Sequence, residues 1–318
     1  MNRILFLCPC DNTPYGGIHV IYENVDILNK NNFNAYVLHE VDNFRCTWFT
    51  NNTKILYFKD VLINFENDIL VIPEIYGPNI LNIVPGVKKV IFNQGAYLTF
   101  SRFGANYNEK SPYLSDEIIG IISISQDNKE YLEYTFKDRI INRIINCIEY
   151  YGINPNYESK NKVISIIEKN NIQDFIQIIN ILKIRDNLKG YTFDIIKNET
   201  HQNVLQRLEK SKIYISLSDE EGFGLSAAEA MAMGCVVIGY HGQGAKEYFK
   251  EEFSYRVEQG DVIDICKKVE EVIELIENRN EEYLSKVKKA REFILANYSK
   301  EQQEKSVVET WTDILTRL

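Results

Sequence analysis

The stretch after the apolar run Ile213–Leu217 has the residue types of an anion-binding turn. It contains Gly222 and Gly224, whose missing side chains let the backbone come close to a ligand. A helix is predicted to begin at about Leu225. The first N–H groups of a helix lack intrahelical acceptors and lie at the positive end of its dipole. This order of strand, glycine turn and helix predicts a seat for a phosphate group.

Two glutamates flank this turn and offer carboxylates to hydroxyl groups. Glu229 lies in the early turns of a helix otherwise rich in Ala and Met, so its charge needs a partner. Ribose hydroxyls would satisfy it, and Glu221, on the loop above the same helix end, is placed to bind a second polyol. Two plainer interpretations stay open. Ser226 and Glu229 have the spacing of a capping box, and an acidic pair beside a loop can be solvated surface.

The same glycines also fit a dinucleotide site. Gly222, Gly224 and Ala227 have the spacing of a dinucleotide-binding fingerprint, and Glu247 follows about 20 residues later. A NAD-dependent oxidoreductase is therefore an alternative prediction. It is disfavoured because the acidic residues directly before Gly222 would repel a pyrophosphate.

Short apolar runs alternate with longer amphipathic ones along the chain, which is typical of βα units with parallel sheets. Strands are predicted in a first series at 3–8, 34–39, 54–58, 68–72, 88–92 and 120–125, and in a second series at 162–167, 192–196, 213–217 and 235–240. Helices are predicted at 18–31, 173–184, 202–210, 225–233, 264–277 and 300–315.

A polar segment near 154–162 separates the two series and is the best candidate for a linker. The predicted fold class is α/β, with two Rossmann-like parallel-sheet domains facing a cleft. The N-terminal domain is placed at 1–155 and the C-terminal domain at 156–298, and a helix at 299–318 packs on either of them. Ligands of such sheets bind at the carboxyl ends of the strands, where the glutamates lie.

The length, charge and cysteine spacing of the chain indicate which kinds of binding partner are unfavourable. The chain of 318 residues has room for two domains, and its net charge of −9 disfavours nucleic acid. No segment approaches the roughly 18 unbroken apolar residues of a membrane span, so at most peripheral membrane contact and a cytoplasmic location are expected. The six cysteines have no paired spacing, which fits a reducing compartment and argues against a zinc site.

The stretch at 221–239, EGFGLSAAEAMAMGCVVIG, resembles the motif of the retaining GT-B glycosyltransferases of family 4, in which seven residues separate two glutamates. Tyr15-Gly16-Gly17-Ile18 is similar to the first glycine loop of that family, and Ile122-Ser-Ile-Ser125 to its last amino-domain strand. The resemblance implies the GT-B fold and a nucleotide-sugar donor.

The resemblance also implies roles for individual residues. Glu221 would contact the donor sugar, and Glu229 would hold the nucleotide ribose. The backbone of Phe223, Gly224 and Leu225, with Gly222 before them, would cradle the sugar and the diphosphate.

The resemblance also implies roles for a glycine pair and an asparagine in the N-terminal half. Gly16 and Gly17 would contact the diphosphate, whereas a tight turn that uses glycine for positive φ is the alternative. Asn93 follows a predicted strand where relatives often place a histidine or amide near the transferred sugar, and a polar strand-end turn is the plainer interpretation. Two histidines, His39 and His201, are expected to be structural.

One position departs from the family pattern. Relatives place an arginine and a lysine after the first strand of the C-terminal domain, where both neutralise the leaving diphosphate. Lys169 fits the lysine, but Glu168 stands where the arginine is expected. A missing cation beside a leaving phosphate weakens catalysis, and Lys246 and Arg102 are the candidate substitutes.

The resemblance leads to a functional hypothesis: transfer of a sugar from a nucleotide-sugar donor to an acceptor hydroxyl with retention of anomeric configuration. Glycan or lipid-linked acceptors in polysaccharide or glycoconjugate biosynthesis are expected, without metal or other cofactor. The alternative is a degenerate GT-B protein that binds a nucleotide sugar or a partner without turnover.

Overall fold

The computed structural model describes residues 2–105, 110–168, 171–279 and 281–318. The chain forms two compact units, Met1–Asn146 with Glu301–Leu318, and Cys147–Lys300. The last helix belongs to the first unit from Glu301 onwards. Each unit contains one parallel sheet, which confirms the predicted fold class of two parallel-sheet domains.

The sheet of the first unit has seven strands, all parallel. They are β1 (Arg3–Leu7), β2 (Asn34–His39), β3 (Ile55–Tyr57), β4 (Asp68–Pro73), β5 (Lys88–Asn93), β6 (Ile118–Ser123) and β7 (Ile141–Arg143). Their order is β3-β2-β1-β4-β5-β6-β7. The order reverses between β1 and β4, where doubly wound sheets bind ligands beyond the strand ends.

Helix α1 (Gly16–Lys30) follows β1 and buries one apolar face. Ile18, Ile21, Val25 and Leu28 recur at helical spacing and are all buried, as the sequence pattern predicts. Helix α2 (Gln126–Thr135) follows β6, and its first turn is capped by Ser125, whose Oγ accepts from the Asn128 N–H at 3.1 Å.

The sheet of the second unit has five parallel strands. They are β8 (Asn161–Ile167), β9 (Thr192–Ile196), β10 (Ser211–Glu221), β11 (Val236–Gln243) and β12 (Tyr255–Arg256). Their order is β12-β11-β10-β8-β9, so the reversal in this sheet lies between β8 and β10.

The described part of this unit contains five α-helices, which are α3 (Ile172–Arg185), α4 (His201–Lys210), α5 (Leu225–Ala232), α6 (Val262–Glu277) and α7 (Glu281–Asn297). A last helix, α8 (Lys300–Thr316), buries Trp311 against Phe6 of β1 at 5.7 Å between ring centroids. Short 3-10 turns occupy Phe58–Asp60, Glu74–Asn82, Ala96–Leu98, Pro112–Leu114 and Gly244–Glu247. No helix in the described ranges is both long and apolar enough to cross a membrane.

Candidate functional site

The strand reversal in the second sheet brings two acidic residues to one edge. Glu168 comes directly after β8, and Glu221 is the last residue of β10. Since β8 and β10 are paired neighbours, their carboxyl ends open onto the same crevice. The candidate site is therefore built on the ends of these two strands and on α5, which follows β10.

The turn between β10 and α5 depends on close backbone packing. Gly224 has φ +82°, and a Cβ there would lie 2.9 Å from Tyr248 Oη. A Cβ on Gly244 would overlap the carbonyl oxygens of Gly222 and Glu221. Glycine is thus required on both sides of this contact, because any side chain would push the turn away from its neighbour.

The side chain of Tyr248 packs against the same turn and forms hydrogen bonds with its backbone. Its hydroxyl donates to the Phe223 carbonyl at 3.1 Å and to the Gly224 carbonyl. Burial raises the pKa of Tyr248 well above its usual value, so the hydroxyl stays a donor. The Phe223 ring packs against Tyr248 and Tyr298, with centroids 5.3 Å and 5.0 Å away. The Phe223 side chain therefore belongs to the core that supports the turn.

The start of α5 is not closed by a side chain. Gly224 is the N-cap residue and makes no side-chain cap, while Ser226 is the second residue of the helix. The carboxylate of Glu229 bonds to His201 rather than to a helix-end N–H. The capping-box interpretation of Ser226 and Glu229 is therefore wrong, and the first N–H groups of α5 keep the character of an anion site.

Glu229 forms an ion pair or a charge-assisted hydrogen bond within the second unit. The Nε2 atom of His201 lies 2.8 Å from Glu229 Oε1, and the glutamate side chain is 12% exposed. On the other side of the imidazole, Nδ1 lies 3.4 Å from Tyr151 Oη. His201, which the sequence predicts to be structural, thus bonds to a predicted site residue. Its place at the start of the helix after β9 was the available signal.

Both glutamates act on one buried phenol. Burial raises the pKa of Tyr214, and the negative charges of Glu221 and Glu229 raise it further. Both carboxylates are therefore close enough to the Tyr214 hydroxyl to act on it electrostatically. Neither Glu221 oxygen has a hydrogen-bond partner among the residues that the structure describes, so this carboxylate is available to a ligand.

A cation does stand beside Glu168. Lys197, just after β9, places Nζ 2.8 Å from Glu168 Oε1. Sequence reasoning overlooked this lysine, although it too follows a strand. Lys169 lies outside the described residues. Lys246 and Arg102 were the candidates to replace the missing arginine. Lys246 is an exposed residue of the second unit, near Gly244, and Arg102 belongs to the first unit.

In the first unit, the glycine pair opens α1. Gly16 and Gly17 are its first two residues and are helical, so the alternative of a turn with positive φ is wrong. The Gln94 amide covers this end, with Nε2 donating to the Gly17 carbonyl at 3.0 Å. A Cβ on Gly17 would contact that side chain at 3.4 Å.

Asn93 ends β5 and is fully buried. Its Nδ2 donates to Thr99 Oγ1 and to Tyr113 Oη, each at 2.8 Å. The side chain thus fixes the turn after β5 and offers no exposed surface. Its predicted part near the transferred sugar stays a prediction.

A buried carboxyl lies at the strand reversal of the first sheet. Glu74 follows β4 and accepts from the Gln94 N–H at 3.0 Å. Burial raises the pKa of Glu74 to about 7, although the N–H groups of Gln94 and Gly95 act in the opposite direction. In the sequence, Glu74 is one polar residue after a strand, a pattern that is also common in ordinary turns.

Within the described ranges, no group of three or more His, Cys, Asp or Glu side chains is arranged to hold a metal ion. Glu247, the acidic residue of the dinucleotide alternative, accepts from Tyr298 Oη at 2.7 Å.

A comparison with known families bears on this region. Residues 182–292 match the model of the glycosyl transferases group 1. The match runs from α3 to α7 and contains the glycine turn with both glutamates.

Among curated proteins, an alpha-1,6-glucosyltransferase of Actinobacillus pleuropneumoniae serotype 7 (strain AP76) is similar. It is 25% identical over 174 residues, which are 50% of this chain and 52% of that protein. The chain thus spans about half the length of this relative.

Solved structures support the same fold. The crystal structure of Anabaena Alr3699/HepE in complex with UDP and glucose matches with a TM-score of 0.66 at 14% identity, covering 100% of both chains. That of an S. aureus TarM mutant in complex with Fondaparinux, alpha-GlcNAc-glycerol and UDP matches with 0.60 at 17% identity, covering 80% of this chain and 57% of that one. These neighbours are GT-B glycosyltransferases, and the likeness shows that the chain has this fold.

Proposed function

We propose that the chain is a glycosyltransferase that moves a sugar from a nucleotide-diphosphate donor to an acceptor hydroxyl with retention of configuration. One observation carries the proposal: α5 begins without a side-chain cap directly after β10, the strand that ends at Glu221, and this segment with Glu229 lies inside the region that matches the glycosyl transferases group 1. The resemblance to family 4 and its paired glutamates supports the retaining outcome.

The diphosphate is assigned to the glycine turn. The backbone of Gly222, Phe223, Gly224 and Leu225 leads into the first turn of α5, whose N–H groups suit an anion. The contacts from Tyr248 keep this backbone in place before the ligand arrives. Such preorganised dipoles stabilise the charge that develops on the leaving diphosphate.

The two glutamates bind the rest of the donor. Glu229 accepts hydrogen bonds from the ribose hydroxyls, and Glu221, with no partner among the described residues, accepts them from the sugar. In the first unit, the start of α1 at Gly16 and Gly17 is assigned to the diphosphate, and Asn93 to the neighbourhood of the transferred sugar.

The positive charges at the leaving group come from lysines. Lys169 keeps the role that the resemblance implies, and Lys197 neutralises Glu168. Since the helix end and Lys169 supply the positive charge and Lys197 cancels the charge of Glu168, the proposal needs no metal ion and no other cofactor. Turnover should be unchanged in excess EDTA.

The reaction is proposed to proceed on one face of the sugar. The bond between the anomeric carbon and the diphosphate oxygen breaks, and the acceptor oxygen forms its bond on the same face. The acceptor proton passes to the departing diphosphate, which serves as the base, so no histidine is needed for this role. The donor is converted to a nucleoside diphosphate and a glycoside.

The glucosyltransferase relative and the UDP and glucose bound to HepE make UDP-glucose the first donor to test. A glycan or a lipid-linked glycan in polysaccharide or glycoconjugate biosynthesis is the proposed acceptor, met in the cytoplasm with at most peripheral membrane contact.

Glu168 motivates a second candidate, a protein that binds the donor without turnover. A panel of UDP-, GDP- and ADP-sugars separates the two. Release of nucleoside diphosphate with one donor, increased by acceptor, supports the enzyme. Binding in a thermal-shift assay without release from any donor supports the second candidate instead.

A further inference from the structure

His201 and Glu229 form a hydrogen-bonded pair within the second unit, and each residue is held in place by its helix. His201 is the first residue of α4, and Thr200 caps this helix by accepting the Asn203 N–H at 3.3 Å. The backbone that carries the imidazole is therefore fixed from its own end. Glu229 reaches the ring from α5, on a helix whose neighbouring side chains are buried Ala and Met.

The contacts define the direction of the hydrogen bonds. Because a carboxylate only accepts, Nε2 of His201 must carry the proton that it gives to Glu229 Oε1. In the neutral ring Nδ1 then accepts from the hydroxyl of Tyr151, at a longer 3.4 Å. A relay from Tyr151 through His201 to Glu229 thus orients the carboxylate.

His201 bonds to only one of the two carboxylate oxygens of Glu229. Oε1 is held by His201, whereas Oε2 has no hydrogen-bond partner among the residues that the structure describes. The Glu229 side chain is 12% exposed, so Oε2 can take hydrogen-bond donors from water or, in their place, from a ligand. With Oε1 fixed, Oε2 points in one direction rather than sampling several rotamers, which costs a ligand less on binding.

We infer that His201 is a positioning residue for recognition of the vicinal hydroxyls of a ribonucleotide. This inference rests on the proposed function and names the feature by which the donor site recognises its nucleotide. By holding Oε1, the imidazole presents Oε2 to a 2′-hydroxyl and its neighbour. A 2′-deoxynucleotide lacks the 2′-hydroxyl and therefore makes one hydrogen bond fewer to the Glu229 carboxylate. The protein is expected to bind it less tightly for this reason.

The test is isothermal titration of the full chain with UDP and with 2′-deoxy-UDP. The native protein should prefer UDP by about tenfold, the effect of one lost hydrogen bond to a charged group. His201→Ala should bring the ratio of the two dissociation constants close to one. His201→Gln, which keeps a donor near the Nε2 position, should retain most of the preference. The matched control is Gln202→Ala, the exposed next residue of α4, which should leave the ratio unchanged.

The ratio separates positioning from a merely structural effect, because a loosened fold would weaken both ligands equally. An unchanged preference in His201→Ala, or an equal loss for both ligands, would overturn the inference while donor binding still supports the proposed function. If no UDP, GDP or ADP binds to the native protein, the proposed function fails and the inference fails with it. Should His201→Ala not fold, Tyr151→Phe decides: a fall in the preference supports the relay, and no change contradicts it.

Discussion

Lys197 and Glu168 form an ion pair at the carboxyl ends of neighbouring strands, with Nζ and Oε1 2.8 Å apart. The pair places a positive charge next to Glu168, the acid at the position where the resemblance to family 4 implies an arginine. The charge of Lys197 balances that of Glu168, so the pair is locally neutral.

Changing either partner should shift nucleotide affinity in opposite directions. Lys197→Met leaves the Glu168 charge unpaired near the proposed diphosphate site and should weaken UDP binding by about fivefold. Glu168→Gln removes the repulsion and should strengthen binding by a similar factor, because exposed charges at such distances contribute on the order of 1 kcal/mol or less. Titrations at low and high salt check this, and both effects should shrink in salt. If both variants bound UDP with the same affinity, the prediction would be wrong and the pair would not lie near the nucleotide site.

Tyr248→Phe should destabilise the glycine turn without altering the core volume. The change removes the hydroxyl donor from the Phe223 carbonyl, whereas the Gly224 carbonyl keeps the Ala227 N–H at 3.2 Å, and the loss of this donor should cost about 1–3 kcal/mol. Denaturant unfolding measures the loss, and donor affinity should fall with it. Native stability in this variant would show that the hydroxyl does not hold the turn.

Gly244→Ala should be more harmful than its small size suggests. The added methyl would overlap the carbonyl oxygens of Gly222 and Glu221, and relieving that overlap should cost about 2–3 kcal/mol. Gly104→Ala is the matched control, since its Cβ would meet no atom within 4 Å. The melting temperature should drop only in the first variant, and similar curves for both would contradict the packing described for the turn.

Glu74 should make stability depend on pH in the neutral range. Its pKa is raised to about 7 in the folded protein, from 4.5, so between these values the folded state holds a proton that the unfolded state has lost. Stability from this group is therefore complete below about pH 4.5 and falls as pH rises towards 7, by up to roughly 3 kcal/mol. The free energy of unfolding of the native protein relative to Glu74→Gln should decrease from pH 5 to pH 8. A flat or rising difference would show that burial does not govern this carboxyl.

The sequence predicts local structure well where one face of an element is strongly apolar. The helix predicted at 18–31 is observed as Gly16–Lys30, and the glycine turn between strand and helix is where the residues placed it. Helix α7 was not predicted, because only Val287, Ala290 and Ile294 of its 17 residues are buried and the remaining pattern is mostly polar.

The contacts of the candidate site were harder to foresee. His201 and Glu229 are 28 positions apart, and Lys197 and Glu168 are 29 apart. Such pairs depend on the order of strands in the sheet, which periodicity does not encode. Strand ends supply a partial signal, since His201, Lys197 and Glu74 all follow strands, but polar residues after strands are also common in ordinary turns.

The central claim is that Glu221 and Glu229 bind a nucleotide-sugar donor for transfer, and steady-state kinetics on the donor that the panel selects test it most directly. Glu229→Ala should raise KM, as expected for lost ribose contacts, and Glu221→Ala should mainly lower kcat, since it contacts the sugar whose bond breaks. Losses of about tenfold or more in kcat/KM are expected for each, because each carboxylate makes hydrogen bonds with a charged acceptor. Unchanged kinetics in both variants would contradict the assignment of this site.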